Sequence, residues 1–248
     1  MKGDNGWLIA RPIAHRGLHD PERGIYENSL AAARAAAEGG YGIECDVRLS
    51  RDGKVFVFHD DRLDRLTGER GAFRKRDAHE LARIALGDGE KIPTLAAFLA
   101  AVGGAVPLIL ELKSDCFGDV PLASAVAAEL ADYRGPVALK SFDPAPIARL
   151  RAAGASWPLG IVAQSDYEDA EFDCLSAEQW EDLARFTHAA ATRPDFLSWR
   201  ATDLPAPVVE CARACCALPV MTWTIRSPQQ AKTAFKHADQ IVFEGFMA

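Results

Sequence analysis

Short hydrophobic runs alternate with longer segments of helical periodicity along this chain. Apolar runs of four to eight residues are typical of buried strands, whereas apolar spacings of three and four predict amphipathic helices. Strict alternation predicts parallel βαβ units, and eight units in 248 residues predict an α/β protein with a (β/α)₈ barrel. A doubly wound open sheet is the runner-up. The predicted strands span residues 8–14, 42–49, 107–112, 137–141, 157–162, 196–199, 219–224 and 240–243, and the predicted helices span residues 29–38, 94–102, 121–133, 144–153, 176–190, 205–216 and 228–237.

Helix-start residues precede several of the predicted helices. Asn28 or Ser29 and Thr94 offer side-chain oxygens that can accept from the first unpaired backbone N–H groups. Asp143 and Ser227 are each followed by a proline, which favours the first turn of a helix.

Polar residues occur where the predicted strands end. Charged groups within apolar strands are costly to bury unless they are paired or bind a metal, and barrel enzymes collect their chemistry at the carboxyl ends of the strands. Charges that served only stability would be scattered over the outer helix faces. The pattern therefore indicates a functional site and favours the barrel. These residues are His15, Arg16, Glu44, Asp46, Glu111, Lys113, Lys140, Gln164, Trp223 and Glu244.

The composition and net charge of the chain argue against several classes of protein. The chain is 49% hydrophobic and 25% charged, as globular proteins are, and its net charge of −7 argues against a nucleic-acid partner. The longest nearly charge-free stretch, residues 95–110, is too short to span a membrane, and the amino-terminal residues lack the apolar core of a signal peptide. We therefore expect a cytoplasmic protein with no stable membrane insertion.

The six cysteines do not predict a disulfide scaffold or a zinc site. Cys45, Cys116 and Cys174 are isolated in the sequence. The other three fall within the alanine-rich helical stretch 205–216, where cysteine acts as a small apolar side chain.

Three acidic residues at the strand ends predict a cation site. Glu44 and Asp46 are two apart on one predicted strand, so both side chains face the same way. Like charges this close repel each other unless a cation lies between them. Glu111 adds a third carboxylate, and hard oxygen ligands favour Mg²⁺ or Ca²⁺ over zinc or copper. The alternative is a set of solvated acids paired with Arg16 and Lys113.

A predicted hairpin brings an imidazole toward these acids. Asp52 and Gly53 are typical of a two-residue β-turn between strands, and such a turn places Asp46 directly opposite His59. A slip of one residue would turn His59 to the other face. The alternative is a histidine on a surface turn.

The first predicted strand leads into a candidate phosphate site. His15 and Arg16 follow it, and Gly17 allows close backbone approach. The planar guanidinium matches phosphate oxygens, and Lys113 or Lys140 adds a point charge. Two histidines, whose ordinary pKa is near 6.5, can act as a general acid and base. Together with a carboxylate metal site, these groups predict metal-assisted hydrolysis of a phosphodiester.

An ordered set of motifs runs through nearly the whole chain. The motifs are IAHRG (13–17), ENS (27–29), IECDVRLSRDG (43–53), FHDDRLDRLTG (58–68), IPTL (92–95), ILELK (109–113), SFD (141–143), LGIV (159–162) and WT (223–224). In this order and spacing they resemble the glycerophosphodiester phosphodiesterase family. The resemblance implies a single TIM-barrel domain over residues 1–248 with a cap-like insertion at about residues 60–92, after the second strand. It also implies one divalent cation and the hydrolysis of glycerophosphodiesters to glycerol 3-phosphate and an alcohol, within lipid and glycerol metabolism.

The resemblance also implies roles for the matching residues. Glu27 would support the region of Arg16 and the metal, and Trp223 would form a wall of the glycerol pocket. Which histidine is the acid stays open, as does the first nucleophile, water or a substrate hydroxyl. The remaining roles are acid–base catalysis for His15 and His59, metal binding for Glu44, Asp46 and Glu111, and phosphate binding for Arg16 and Lys113.

Two positions depart from the family pattern. Arg226 stands where the family has an asparagine after the WT pair, and residues 243–246 (FEGF) replace a TDYP-like run. We expect both departures at the far rim of the barrel, away from the metal and the histidines, so that they bear on the substrate more than on the reaction. The basic run 74–76 is interpreted as solvated rather than as a lipid-headgroup site, and the acidic segment 165–182 as solvated rather than as a lid.

Two other functions stay open. A phospholipase D-type enzyme acting on lysophospholipid or sphingolipid would use the same acids and histidines. A non-catalytic phosphate-ligand binder would require the loss of a key group, and none is missing from the sequence. The expected partner is a small-molecule substrate. The sequence is compatible with a homodimer but does not determine the oligomeric state.

Overall fold

The computed structural model describes residues 5–87, 89–114, 118–167 and 172–248. Its strands are β1 (Ile13–Ala14), β2 (Gly42–Leu49), β3 (Val55–Val57), β4 (Leu108–Leu112), β5 (Val137–Ser141), β6 (Leu159–Ala163), β7 (Phe196–Arg200), β8 (Val220–Ile225) and β9 (Gln240–Phe243). All except β3 are parallel, and they close into a barrel because β1 pairs with both β2 and β9. β3 pairs antiparallel with β2 outside the barrel. This closure confirms the (β/α)₈ fold and excludes the open sheet.

Most of the helices cover the outside of the barrel, whereas the short helix Ala78–Leu81 packs in a separate apolar cluster. The described helices are α1 (Leu30–Glu38), α2 (Ala78–Leu81), α3 (Leu95–Val102), α4 (Val120–Leu130), α5 (Pro144–Ala152), α6 (Ala177–Ala184), α7 (Ala189–Thr192), α8 (Pro207–Cys216) and α9 (Pro228–Ala234). The predicted helix-start residues are confirmed. Ser29, Thr94, Asp143 and Ser227 each accept a hydrogen bond from a backbone N–H in the first turn of α1, α3, α5 and α9.

Two elements differ from the sequence prediction. The helix predicted over residues 176–190 is divided into α6 and α7 because Phe186 adopts the left-handed conformation, with φ of 58°. The strand predicted over residues 8–14 is reduced to β1, and Gly6–Leu8 forms a 3₁₀ turn. Pro12 has no N–H to donate, so the strand pairing begins after it.

Side chains along β2 point alternately to the apolar core outside the barrel and to the polar inside of the barrel. Ile43, Cys45 and Val47 are buried in the main apolar cluster between the strands and the helices. Glu44 and Asp46 therefore point to the inside of the barrel. A second cluster, which includes Leu8, fills the barrel interior below them.

The hairpin between β2 and β3 has a longer turn than predicted. Ser50 N donates to Lys54 O across a turn of three residues, and the Ser50 hydroxyl accepts a hydrogen bond from Lys54 N. Phe58 N donates to Asp46 O. Asp46 therefore faces Phe58, and the predicted pairing of Asp46 with His59 is wrong by one residue.

The segment between β3 and α3 forms a small cap with its own apolar cluster. Within it, the rings of Phe58 and Phe73 stack with centroids 5.1 Å apart. Arg76, the last residue of the basic run, forms ion pairs with Glu69 and Glu80 at 3.4 Å. These contacts agree with the interpretation of Arg76 as part of a solvated surface.

One cysteine that is isolated in the sequence takes part in a disulfide. Cys174 is disulfide-bonded, and Cys116 lies outside the described residues. A single cysteine in a segment carries no spacing signal, so its pairing depends on the tertiary structure.

Residues 168–171 of the acidic segment are likewise outside the described part, and Tyr167 and Phe172 beside them pack in a small apolar cluster. Among the described helices, none combines the length and apolarity needed to cross a bilayer.

Candidate active site

The barrel register brings four charged side chains to nearly one level. Asp46 on β2 is the neighbour of Glu111 on β4, which in turn is the neighbour of Lys140 on β5. Glu44 lies on the same face of β2 as Asp46. All four are buried, with at most 5% of their surface exposed. Charges buried to this degree require compensation within the site.

Glu44, Asp46 and Glu111 form a cluster of carboxylates, here called the acidic triad. One oxygen from each residue lies within 4.8 Å of the others. Three converging carboxylate oxygens are donors that hard divalent cations prefer. The acidic triad can therefore hold a metal ion.

Three cationic side chains face the acidic triad. Lys140 Nζ lies 3.1 Å from Glu44 Oε1 and 3.0 Å from Glu111 Oε2. Lys113 Nζ lies 2.7 Å from Glu111 Oε1. Arg16 Nε lies 3.4 Å from Asp46 Oδ2. The formal charges of the three acids and three bases therefore cancel.

Two of the triad carboxylates, those of Asp46 and Glu111, are ionised near neutral pH. Burial opposes the ionisation of Asp46, but the charges of His59 and Arg16 outweigh it and hold the pKa of Asp46 well below its usual range. Burial also opposes ionisation of Glu111, whose pKa is lowered to about 2 mainly by the charge of Lys113. These two carboxylates thus carry negative charge that cation binding requires.

The residues between β1 and α1 form hydrogen bonds with the triad on one side of the site. Arg16 and Asn28 adopt the left-handed conformation, with φ of 56° and 59°. Arg16 N then donates to Glu44 Oε2 at 3.2 Å, and Arg16 Nη1 lies 2.5 Å from Glu27 Oε1. Asn28 Nδ2 donates to Asp46 Oδ2 at 2.9 Å, and its Oδ1 accepts from Asp46 N at 3.2 Å. Asn28 therefore fixes the orientation of one triad carboxylate.

His59 reaches the site although the predicted register is wrong. It lies beyond the end of β3, so strand alternation does not set its side-chain direction. Its Nδ1 lies 2.7 Å from Asp60 Oδ1. Arg65 holds Asp60 through bonds of 2.7 and 2.8 Å and also donates to both oxygens of Glu27 at 2.8 Å. Arg65 thereby connects the histidine side of the site to the Glu27 side.

His15 is supported from the other side of the barrel. Its Nδ1 lies 2.5 Å from Glu244 Oε2, in the segment that follows β9. The other oxygen of Glu244 lies 2.8 Å from Arg226 Nη2. The two histidines therefore contact different carboxylates, each of which is held by an arginine. Glu244 and Arg226 belong to the two departures from the family pattern, so the expectation that these departures lie away from the histidines is wrong.

Aromatic side chains form one wall beside Lys113. Trp223 Nε1 donates to Ser198 O at 3.1 Å, which fixes the indole. Its ring meets Phe142 edge to face at 5.6 Å, and Lys113 Nζ lies 5.7 Å from the Phe142 ring centre. These two rings supply an apolar surface next to a cation.

The structure places every predicted site residue at the carboxyl end of the barrel. Lys140 lies between two acids of the triad, so its ammonium group compensates them directly. The predicted roles omit five neighbours. Four of these stand inside the quoted motifs, although Phe142 carries no charge signal. Glu244 is among the polar strand-end residues noted from the sequence, but it received no role there. The five are Asn28, Asp60, Arg65, Phe142 and Glu244.

Several known proteins are similar to this chain. A sequence model described as the glycerophosphoryl diester phosphodiesterase family matches residues 15–239. A glycerophosphodiester phosphodiesterase of Caldanaerobacter subterraneus is 36% identical over 111 residues, which cover 41% of this chain and 44% of that protein. The match thus spans less than half the length of that relative.

Two solved structures have the same fold over nearly their full lengths. A phosphodiesterase of Oleispira antarctica, in complex with the product sn-glycerol-3-phosphate, is 25% identical with a TM-score of 0.79, covering 97% of this chain and 94% of that one. A glycerophosphodiester phosphodiesterase of Thermotoga maritima is 26% identical with a TM-score of 0.68, covering 93% and 92%.

Proposed function

Because this chain belongs to the glycerophosphoryl diester phosphodiesterase family, we propose that it hydrolyses glycerophosphodiesters to glycerol 3-phosphate and an alcohol. It is a phosphoric diester hydrolase by family. The observation that carries the proposal is the convergence of the acidic triad, Arg16, Lys113 and two histidines at the carboxyl end of one barrel. The glycerol 3-phosphate in the Oleispira structure supports the product assignment.

The donor chemistry of the acidic triad fits one hard divalent cation, Mg²⁺ or Ca²⁺. Glu44, Asp46 and Glu111 would hold it, because each offers a buried carboxylate oxygen and none of the three is a soft ligand. Such a cation polarises a phosphoryl oxygen and stabilises developing negative charge. Since the triad and its three cationic neighbours are already neutral together, a bound cation makes the site positive and therefore attractive to a phosphodiester anion.

Arg16 and Lys113 would bind the phosphate. Arg16 Nε is buried and, among the described residues, makes no hydrogen bond, although it lies 3.4 Å from Asp46 Oδ2. A phosphate oxygen would satisfy this donor. Lys113 Nζ lies at the aromatic wall and would add a point charge, and Trp223 would line the glycerol pocket.

His15 and His59 would transfer the protons. One imidazole takes a proton from the attacking hydroxyl, and the other gives a proton to the departing alkoxide. Each such group contributes about 10²–10⁴ in rate. The proximity of His15 to Arg16 along the chain and of His59 to Asp46 supports this assignment, because the transferred protons would then move next to the phosphate.

Replacement of His59 tests the acid–base role. His59→Ala lowers kcat for glycerophosphocholine by at least about 100-fold, because one proton-transfer group is lost. His79→Ala, at an exposed histidine on α2, is the matched control and leaves kcat unchanged. Near-normal turnover of His59→Ala would remove His59 from the mechanism.

Chelation tests the cation. EDTA treatment followed by dialysis abolishes turnover, and addition of Mg²⁺ or Ca²⁺ restores it, because the triad supplies only hard oxygen ligands. Full activity after exhaustive chelation would contradict a metal role for the triad.

Substrate choice separates the open alternatives. A glycerophosphodiesterase releases glycerol 3-phosphate from glycerophosphocholine and leaves lysophosphatidylcholine largely intact. Faster cleavage of lysophosphatidylcholine would indicate a phospholipase D-type enzyme. Binding of glycerol 3-phosphate without turnover of either substrate would indicate a non-catalytic binder.

A further inference from the structure

The side chains of Glu44, His15 and Glu244 lie next to one another where β1 closes the barrel between β2 and β9. β1 pairs with β2 on one side and with β9 on the other. The position after Ala14 in this register holds His15, with Glu44 on β2 and Glu244 after β9 as its neighbours. His15 N donates to Phe243 O at 2.8 Å, which continues the parallel pairing by one residue. Adjacent strands are about 4.8 Å apart, so His15 lies between the acidic triad and Glu244.

Both oxygens of Glu244 are engaged. Oε2 lies 2.5 Å from His15 Nδ1 and 3.7 Å from His19 Nε2. Oε1 lies 2.8 Å from Arg226 Nη2. The side chains of His15 and Glu244 are only 14% and 18% exposed, whereas that of Arg226 is 62% exposed. The carboxylate is therefore held from the solvent side by a cation and presents its inner oxygen to the imidazole.

We propose that Glu244 is a positioning residue for His15, holding the Nδ1–H so that Nε2 is the nitrogen that exchanges a proton with the substrate. The inference rests on the proposed function and goes beyond it by assigning the working nitrogen and the group that selects it. An ionised carboxylate can only accept hydrogen bonds. Nδ1 must therefore carry the hydrogen, and the lone pair of the neutral imidazole is on Nε2.

The charge state of Glu244 agrees with this assignment. Burial opposes its ionisation, but the hydrogen bond from His15, the nearby imidazole of His19 and the charge of Arg226 outweigh burial and hold the pKa of Glu244 well below its usual range. Arg226 therefore stabilises the carboxylate form that an acceptor role requires.

The second histidine has the same kind of support. His59 Nδ1 lies 2.7 Å from Asp60 Oδ1, and Arg65 Nε lies 2.7 Å from Asp60 Oδ2. Each imidazole thus has an arginine-held carboxylate at Nδ1, although the two supports come from distant parts of the chain. The repeated arrangement indicates that both histidines work through Nε2.

The tautomer of His15 can be measured without turnover. A long-range ¹H–¹⁵N correlation spectrum of the full chain, recorded as the pH is raised until the His15 signals no longer move, reports which ring nitrogen of the neutral imidazole carries the hydrogen. The His15 signals are assigned by their loss in His15→Asn. We expect the Nδ1–H tautomer in the wild type and a gain of the Nε2–H tautomer in Glu244→Ala. An Nε2–H tautomer in the wild type would overturn the proposal.

Kinetics provide the second test. Glu244→Gln lowers kcat for glycerophosphocholine by about 100-fold or more and leaves KM within about twofold, because a carboxylate-to-amide change beside a catalytic histidine impairs proton transfer and not binding. Glu244→Asp keeps the carboxylate and retains at least about tenfold more of kcat than Glu244→Gln. Arg226→Gln, at an exposed position, lowers kcat by only about three- to tenfold, since the screened outer charge contributes less.

A matched control separates positioning from a general loss of charge. Glu210→Gln removes a carboxylate that lies 3.7 Å from His237 Nδ1 on the outside of the barrel, and kcat stays unchanged. A Glu244→Gln enzyme with kcat within about threefold of wild type, or equal losses in the Gln and Asp variants, would refute the positioning role. An inactive wild type would refute the proposed function, while the tautomer measurement would still decide this inference.

Discussion

Asn28 offers a test of how the site is held together. It is fully buried, adopts φ of 59°, and forms two hydrogen bonds with Asp46. Its Nδ2 donates to the Asp46 carboxylate, and its Oδ1 accepts from the Asp46 backbone N–H. Asn28→Ala removes both bonds and leaves two buried polar groups of Asp46 less satisfied.

The structure allows the cost to be estimated. A hydrogen bond to a charged group contributes about 2 kcal/mol, and an unsatisfied buried N–H costs about 1–2 kcal/mol. Alanine in the left-handed conformation costs about 1 kcal/mol more, which asparagine largely avoids. We therefore expect Asn28→Ala to lower the free energy of unfolding by about 4 kcal/mol. In a chain of 248 residues this corresponds to a fall in Tm of about 8–16 °C.

Thermal unfolding followed by circular dichroism measures this loss. Glycine adopts the left-handed backbone without strain but lacks the side chain of Asn28. The difference in free energy of unfolding between Asn28→Gly and Asn28→Ala therefore measures the cost of placing alanine in this conformation, about 0.5–1 kcal/mol. Asn5→Ala is the control, because Asn5 makes no side-chain cap bond, and its Tm stays within about 2 °C of wild type. A loss below about 1 kcal/mol in Asn28→Ala would refute the assigned role of the two hydrogen bonds.

Two further predictions concern stability. Ser29→Ala lowers the free energy of unfolding by about 1 kcal/mol, because the Ser29 hydroxyl oxygen accepts from Ala32 N at 3.0 Å at the start of α1; an unchanged urea midpoint would contradict the cap. Burial lowers the pKa of His188 from 6.5 to about 4, so the unfolded chain binds a proton first as the pH falls. The free energy of unfolding that depends on neutral His188 is intact above pH 6.5, and up to about 3 kcal/mol of it is lost between pH 6.5 and about 4. In His188→Gln this part of the fall of Tm with acid disappears. A dependence of Tm on pH equal to that of the wild type would contradict the prediction.

Local features of the sequence predicted much of the architecture. The bounds predicted for β2, β5 and β9 match the structure, because apolar runs of that length are flanked by clear turn or helix signals. The helix starts at Ser29 and Thr94 follow from one side chain and the backbone next to it. Elements whose ends depend on a single backbone dihedral, such as the division at Phe186, are not visible in a hydrophobic pattern.

The hairpin shows where pattern reasoning fails. Asp52 and Gly53 signal a turn, but whether it holds two or three residues depends on bonds such as that from Lys54 N to the Ser50 hydroxyl. The register is therefore displaced by one residue. His59 still reaches the site because the chain leaves β3 before this residue, so the slip does not reverse its direction.

Local sequence was enough to predict the alternation of strands and helices, the charged strand ends and the shared face of Glu44 and Asp46. These features depend on interactions within a few residues, and the periodicity of the chain records them. The position of Lys140 between two acids, and the contact of Glu244 with His15, 229 residues away, could not be predicted in this way. The reason is barrel closure: pairing of the first strand with the last is a long-range event that fixes which strand ends face each other, and no local pattern encodes it.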